Sequence, residues 1–121
     1  MKLRNVLLVV SDIEKSVAFY KELFGLEVLL DQGETVILSE GLVLQEKKIW
    51  EDAIQKRCIS KNHMAELYFE ETDMDAFIQK LENYKEEIEY ITPVTTYDWG
   101  KKIVRFYDLD GNMIEVGGEE K

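Results

Sequence analysis

Alternating blocks of hydrophobic and polar positions in the first half of the chain predict one strand, one helix and three further strands. Residues 3–10 are largely apolar, as in a buried strand. Ser11 and Glu14 follow at the spacing of a capping box, so we expect a helix to begin there with Ser11 as its N-cap. The apolar stripe of this helix consists of Ile13, Val17, Tyr20 and Phe24, and Gly25 follows as a left-handed cap. Three short strands with turn formers between them are then predicted at residues 26–30, 35–39 and 42–46.

The second half of the chain repeats this order. Residues 66–70 predict a strand, and Thr72 with Asp75 repeats the capping pattern. The next helix carries an apolar stripe of Phe77, Ile78, Leu81 and Tyr84. Three more strands are predicted at residues 88–92, 102–107 and 112–116. A shift of 61 residues brings Ser11 onto Thr72, and the segment 41–45 matches the segment 111–115.

These two halves predict a single α+β domain over residues 1–121, because 121 residues suffice for one core but not for two. Module one is residues 1–47 and module two is residues 63–118, each with the order βαβββ. Residues 48–62 form the linker, which contains Trp50 and has helical character at residues 51–58. We expect the strands to form a curved, cup-like mixed sheet with the helices on the outside.

Strand parity separates an apolar face from a mixed face, since neighbouring side chains point to opposite sides of a sheet. The apolar parity, which should pack under the helices, contains Val6, Leu8, Val10, Leu42, Leu44, Leu67, Phe69, Ile114 and Val116. The opposite parity places one polar residue on the first and last strand of each module: Asn5, Gln45, Glu66 and Glu115. The sequence predicts that these four side chains converge on the floor of the cup.

Charge narrows the class of partner. The formal net charge is −10, and no stripe of Lys and Arg with interleaved aromatic residues is present in the sequence. Phosphate backbones would be repelled, so nucleic acid is not an expected partner. An acidic chain suits a cationic ligand, although acidity also serves solubility.

Cysteine content and hydropathy indicate the expected location. Cys58 is the single cysteine, which excludes an internal disulfide framework, and we interpret it as an incidental thiol. The longest apolar run, residues 6–10, is far shorter than the roughly 20 residues of a membrane span. With no basic and apolar leader, we expect a cytoplasmic protein without a membrane partner.

Three segments resemble the vicinal oxygen chelate superfamily of glyoxalases, bleomycin-resistance proteins and extradiol dioxygenases. They are NVLLVVSDIEKSVAFY at residues 5–20, FGLEV at residues 24–28 and RFYDLDGNMIEV at residues 105–116. The resemblance implies paired βαβββ modules around an open, barrel-like sheet and, in the metal-using members, a divalent metal at the base of the cup. It also implies frequent homodimers, and we expect one here because open sheets leave edges that a second copy can cover.

The resemblance places the family's ligand pattern of His, Glu, His and Glu on Asn5, Gln45, Glu66 and Glu115. Only Glu115 keeps the expected residue, and His63 has the opposite parity to Glu66. Without imidazoles an Fe²⁺ dioxygenase is disfavoured. Two amides and two carboxylates could hold Mg²⁺, Mn²⁺ or Ca²⁺ weakly, or they could form a satisfied polar floor that orients a ligand. No cofactor is firmly implied.

Two hypotheses for the function are open. In the first, the protein binds a small molecule, cationic or aromatic, without the usual His-containing metal site. In the second, it is a lyase or isomerase in which Glu115 and Glu66 transfer protons on a small oxygenated substrate. The candidate ligand contacts beside the floor are Tyr68, Trp50, Tyr97, Trp99, Arg105 and Tyr107. For two of them a structural alternative is equally open, because Arg105 could pair with a carboxylate and Tyr107 could serve only packing.

Overall fold

Each half of the chain has the order of elements that the sequence predicts. The computed structural model describes residues 1–118. The first half contains β1 (Val6–Val10), α1 (Ile13–Phe24), β2 (Val28–Asp31), β3 (Thr35–Leu38), β4 (Leu42–Glu46) and α2 (Lys47–Ile54). The second half contains β5 (Glu66–Glu71), α3 (Met74–Glu82), β6 (Tyr90–Thr96), β7 (Lys102–Tyr107) and β8 (Met113–Gly118). Short 3₁₀ turns precede β4 and β7 at Ser39–Gly41 and Asp98–Gly100. The predicted α+β class with two βαβββ modules is confirmed.

The chain divides into two compact units within the predicted linker. The first is Met1–Ser60 and the second begins at Lys61. Helix α2 belongs to the first unit and packs against β1 and β4. It begins four residues before the predicted segment 51–58, because the Glu46 carboxylate caps it by accepting a 2.8 Å hydrogen bond from the Ile49 amide. Gln55, in a left-handed conformation with φ of 56°, ends the helix.

Each unit forms its own four-stranded mixed sheet. The strand orders are β1-β4-β3-β2 in the first unit and β5-β8-β7-β6 in the second. The first and last strands of each module are parallel, and the remaining neighbours are antiparallel. The last strand of each module therefore lies inside its sheet, directly beside the first strand.

Aspartates, not the predicted Ser11 and Thr72, cap the two main helices. The Asp12 carboxylate accepts a 3.1 Å hydrogen bond from the Lys15 amide at the start of α1. The Asp73 carboxylate accepts a 3.0 Å bond from the Ala76 amide at the start of α3. Both prediction errors have the same cause: Asp caps at least as well as Ser or Thr, and its negative charge also favours the helix N-terminus.

The core confirms the parity prediction on the central strands. Leu44 of β4 and Ile114 of β8 are fully buried. In the second unit, Phe106 of β7 packs against Phe77 of α3 with ring centroids 6.2 Å apart. Such fully buried side chains each stabilise the fold by about 1.5–3 kcal/mol. Val6 departs from the prediction, because it lies exposed at the beginning of the edge strand β1.

The helices of residues 1–118 are amphipathic packing elements. None of them combines the length and the apolar composition that crossing a lipid bilayer requires.

Candidate functional site

A row of polar and aromatic residues crosses the second sheet on the face turned away from α3. Tyr68 of β5 is in register with Glu115 of β8, which is in register with Arg105 of β7. Arg105 is in turn opposite Thr92 of β6, where the register of the β6–β7 ladder shifts on both sides of Thr92. Residues in register share one face of a sheet, and Phe106, next to Arg105, packs on the α3 side. We call Tyr68, Glu115 and Arg105 the polar row.

An ion pair lies at the centre of the polar row. Arg105 Nε donates a 2.7 Å hydrogen bond to Glu115 Oε1, and the side chains are 30% and 13% exposed. Burial lowers the pKa of Arg105, but hydrogen bonding to Tyr97 and the charge of Glu115 raise it more, so the net pKa lies above its ordinary value. The guanidinium is therefore held charged. The structure thus brings three predicted site residues together: Tyr97, Arg105 and Glu115.

An aromatic ring rests beside this ion pair, over a glycine. A Cβ added to Gly117 would lie 2.6 Å from the Tyr68 hydroxyl oxygen and 3.3 Å from two of its ring carbons. Glycine therefore provides the space in which the Tyr68 ring crosses β8. Tyr68 is 48% exposed, so the residue remains accessible to a ligand.

Two further predicted site residues lie one step along the same face. Glu66 and Tyr107 are both in register with Met113 of β8. Glu66 is exposed and lies two residues from Tyr68, about 7 Å along the strand. The Tyr107 hydroxyl is hydrogen-bonded to His63 Nε2 at 2.6 Å. Tyr107 is therefore engaged by the segment that precedes β5.

The first unit carries a neutral counterpart of the ion pair. Thr35 Oγ1 donates a 2.6 Å hydrogen bond to Oε1 of the buried Gln45, and the two residues are in register on β3 and β4. Gln45 is also in register with Val9 of β1. The exposed Asn5 precedes β1, four residues before Val9, so its backbone lies about 13 Å from the Gln45 level of the ladder. Convergence of Asn5, Gln45, Glu66 and Glu115 stays a prediction.

The two tryptophans complete the predicted ligand contacts. Trp50 is half-buried on α2 of the first unit. Trp99 lies in the turn Asp98–Gly100, and its side chain is outside the part of the chain that the structure describes.

Two contributors to the site were missed by sequence reasoning. Thr35 was passed over because a threonine in a strand is ordinary, and only the register shows it opposite Gln45. Gly117 was also missed, although a Gly-Gly pair that ends a strand signals a close approach to the backbone.

Comparison with known proteins identifies the family. The sequence model of the Glyoxalase-like domain matches residues 3–120. The chain belongs to the glyoxalase-like family. Similar proteins include the uncharacterised protein YraH of Bacillus subtilis (strain 168), which is 32% identical over 132 residues, covering 96% of this chain and 97% of YraH.

Solved structures agree with this family assignment. A protein of unknown function from Agrobacterium tumefaciens str. C58 has a TM-score of 0.81 at 32% identity, covering 99% of this chain and 95% of that one. Lactoylglutathione lyase from Agrobacterium tumefaciens has a TM-score of 0.68 at 25% identity, covering 97% and 92%. Membership of the vicinal oxygen chelate superfamily, predicted from the sequence, is confirmed.

The residues of this glyoxalase-like chain do not fit the divalent metal that the superfamily implies. Both imidazole positions hold other residues, Asn5 and Glu66. Glu115 Oε1 is engaged by a guanidinium, and Gln45 Oε1 by a hydroxyl. Within residues 1–118, no group of three or more His, Cys, Asp or Glu side chains is arranged to hold a metal ion. Transition metals favour imidazole and thiolate ligands, so the amide and carboxylate side chains at these positions are a poor ligand set for them.

Proposed function

We propose that this glyoxalase-like protein binds a small organic molecule, cationic or aromatic, on the polar row without a His-containing metal site. The observation that carries the proposal is an accessible Tyr68 ring held next to a half-buried ion pair. Ligand sites commonly combine apolar or aromatic contact area with a few fixed polar groups. Tyr68 supplies the aromatic contact area, and Arg105 with Glu115 supplies the fixed polar groups.

Charges around Tyr68 support a cationic ligand. Glu66 and Glu70 flank Tyr68 on the same face of β5, and both are exposed. A cation over a tyrosine ring is attracted by the ring face, typically by about 0.5–1 kcal/mol at exposed sites. The net charge of −10 adds long-range attraction for cations.

Benzylamine tests this proposal, with cyclohexylmethylamine as the matched non-aromatic amine. In nuclear magnetic resonance (NMR) titrations we expect benzylamine to shift the amide resonances of Tyr68, Glu115 and Gly117, and cyclohexylmethylamine to shift them several-fold less. Tyr68→Ala should abolish the benzylamine response, and Tyr68→Phe should keep it because the ring face is retained. Equal responses to both amines would exclude recognition of the ligand's aromatic ring, and no response to either would exclude the proposed site at Tyr68.

One observation favours the alternative, a lyase or isomerase. Glu66 and Glu115 share one face of adjacent strands, about two residues apart along the ladder. We expect Glu115→Gln to abolish turnover of a thiohemiacetal substrate in the absence of added metal, while the fold is retained. Activity equal to that of the wild type would remove Glu115 from the mechanism.

We also propose that the protein forms a homodimer, as expected from its open sheet edges. Edge strand β2 supports this, because Val28, Leu29 and Leu30 are all exposed and Leu29 is 64% exposed. Light scattering after size exclusion should give twice the monomer mass of 14.2 kDa, and Leu29→Glu should lower it. A monomeric mass at high micromolar concentration would reject the dimer.

A further inference from the structure

The two units repeat one hydrogen-bonded pair in the same register. Thr35 pairs with Gln45 on β3 and β4, and Arg105 pairs with Glu115 on β7 and β8. In each pair the earlier residue donates to Oε1 of the later one, at 2.6 Å in the first unit and 2.7 Å in the second. The acceptors are the residues that stand at two of the family's metal-ligand positions. Each donor therefore occupies a lone pair on an oxygen atom that a metal could otherwise use.

We propose that Arg105 replaces the divalent metal of the family as a fixed cation on Glu115 and binds an acceptor oxygen of the ligand. The inference rests on the proposed binding function and assigns a ligand class to it: a small aromatic molecule with a carbonyl-type oxygen. A second cation on Glu115 would be repelled by the guanidinium, so the ion pair disfavours a metal at this carboxylate.

The guanidinium has donors to spare for a ligand. An arginine side chain carries five N–H donors in a fixed fork. The Nε–H of Arg105 donates to Glu115, and a further side-chain hydrogen bond joins Arg105 to Tyr97. The side chain is 30% exposed, so the remaining donors can be reached. Because Arg105 already has Glu115 as its anionic partner, its remaining donors do not require a second anion, and a neutral carbonyl oxygen is a suitable acceptor.

The spacing of strands sets the dimensions of the ligand. Tyr68 and Arg105 lie on β5 and β7, which are separated by β8 alone. Two strand spacings amount to about 10 Å, and the Arg105 side chain reaches back toward Glu115. A ligand fits that span when its aromatic ring lies on Tyr68 and its oxygen atom lies a few ångströms farther on, toward Arg105.

The test compares 4-acetylbenzylamine, which carries a carbonyl oxygen, with benzylamine, which lacks one. Since a hydrogen bond to a charged group is worth more than a neutral one, we expect the wild type to bind the ketone about tenfold more tightly. The variant R105T/E115Q copies the Thr35 and Gln45 pair of the first unit and leaves no unpaired charge. In this variant the two probes should bind with equal affinity.

Each outcome of the titration decides the question. A preference for the ketone that survives in R105T/E115Q would overturn the role of Arg105 while leaving the benzylamine site intact. Failure of both probes to bind the wild type would reject the proposed function, and this inference with it. Arg105→Lys, which keeps the charge but not the fork, should reduce the preference several-fold and gives the same decision if the double variant does not fold.

Metal competition provides a readout that does not depend on any ligand. Arg105→Thr leaves the Glu115 carboxylate free, so added Mn²⁺ should broaden the NMR resonances around Glu115 several-fold more than in the wild type. R105T/E115Q is the control, since it lacks both the guanidinium and the carboxylate. Equal broadening in the wild type and in Arg105→Thr would show that Arg105 does not block a cation.

Discussion

Arg105 lies directly opposite Glu115 on the antiparallel β7–β8 ladder and donates to its carboxylate at 2.7 Å. This ion pair is more buried than the pair of Lys102 with Asp75, in which the side chains are 37% and 80% exposed. Because partial burial reduces competition from water, the first pair should contribute more to stability than the second.

Removing one member of the buried pair should destabilise the protein. We expect Glu115→Ala to lower the free energy of unfolding by about 1–3 kcal/mol, because Arg105 is left partly buried without its acceptor. Lys102→Ala should cost less than about 1 kcal/mol. Urea denaturation monitored by circular dichroism measures both values, and equal costs would contradict the role assigned to burial.

Replacing both members together should cost less than the sum of the single changes. R105T/E115Q restores a hydrogen-bonded pair of the kind that the first unit already contains, so the coupling between the two sites should be about 0.5–3 kcal/mol. A double-mutant cycle of R105T, E115Q and R105T/E115Q by urea denaturation measures this coupling. Additive costs would mean that the two side chains do not interact.

One methyl group added at Gly117 should displace the Tyr68 ring. Gly117→Ala places a Cβ 2.6 Å from the Tyr68 hydroxyl oxygen, so the ring must move. Since the obstacle is the end of a flexible side chain, we expect a stability cost of about 1 kcal/mol or less but clear loss of benzylamine binding. Gly118→Ala is the matched control, because its Cβ would make an ordinary 3.4 Å contact with Met74.

Helix capping can be tested at adjacent residues. Asp12→Ala removes the acceptor of the Lys15 amide and should lower the free energy of unfolding by about 1 kcal/mol. Asp73→Ala should have a similar effect on α3. Ser11→Ala and Thr72→Ala are the controls and should cost less. If Ser11 and Thr72 were the caps, thermal denaturation would show a larger loss of stability for their alanine variants than for the two aspartate variants.

The thiol of Cys58 should react slowly at neutral pH. Burial, and then the charge of Glu51, raise the pKa of Cys58 above its ordinary value. A raised pKa keeps the thiol protonated, and only the thiolate is nucleophilic. Alkylation by iodoacetamide should therefore be slower than for free cysteine at pH 7 and should accelerate at alkaline pH. Glu51→Gln should increase the rate at pH 7, and an unchanged rate would show that Glu51 has no effect.

Local patterns predicted the fold better than the site. The period of apolar residues predicted all eight strands and both module helices, because each pattern lies within one short segment. The pairing of Arg105 with a carboxylate was one of two alternatives, and its partner proved to be a predicted site residue. The contact between His63 and Tyr107 joins residues 44 positions apart, and no local pattern encodes it.

The modules differ in how their parallel strands are aligned. Val9 is opposite Gln45, whereas Tyr68, which corresponds to Leu7 by the shift of 61, is opposite Glu115. This displacement of two residues equals one full pleat, so inward and outward side chains keep their sides, while a displacement of one would have inverted them. A shift of the first strand by two residues can therefore change which side chains lie beside Gln45 or Glu115 in each module. A duplicated fold thereby acquires different chemistry in its two halves without rebuilding either hydrophobic layer.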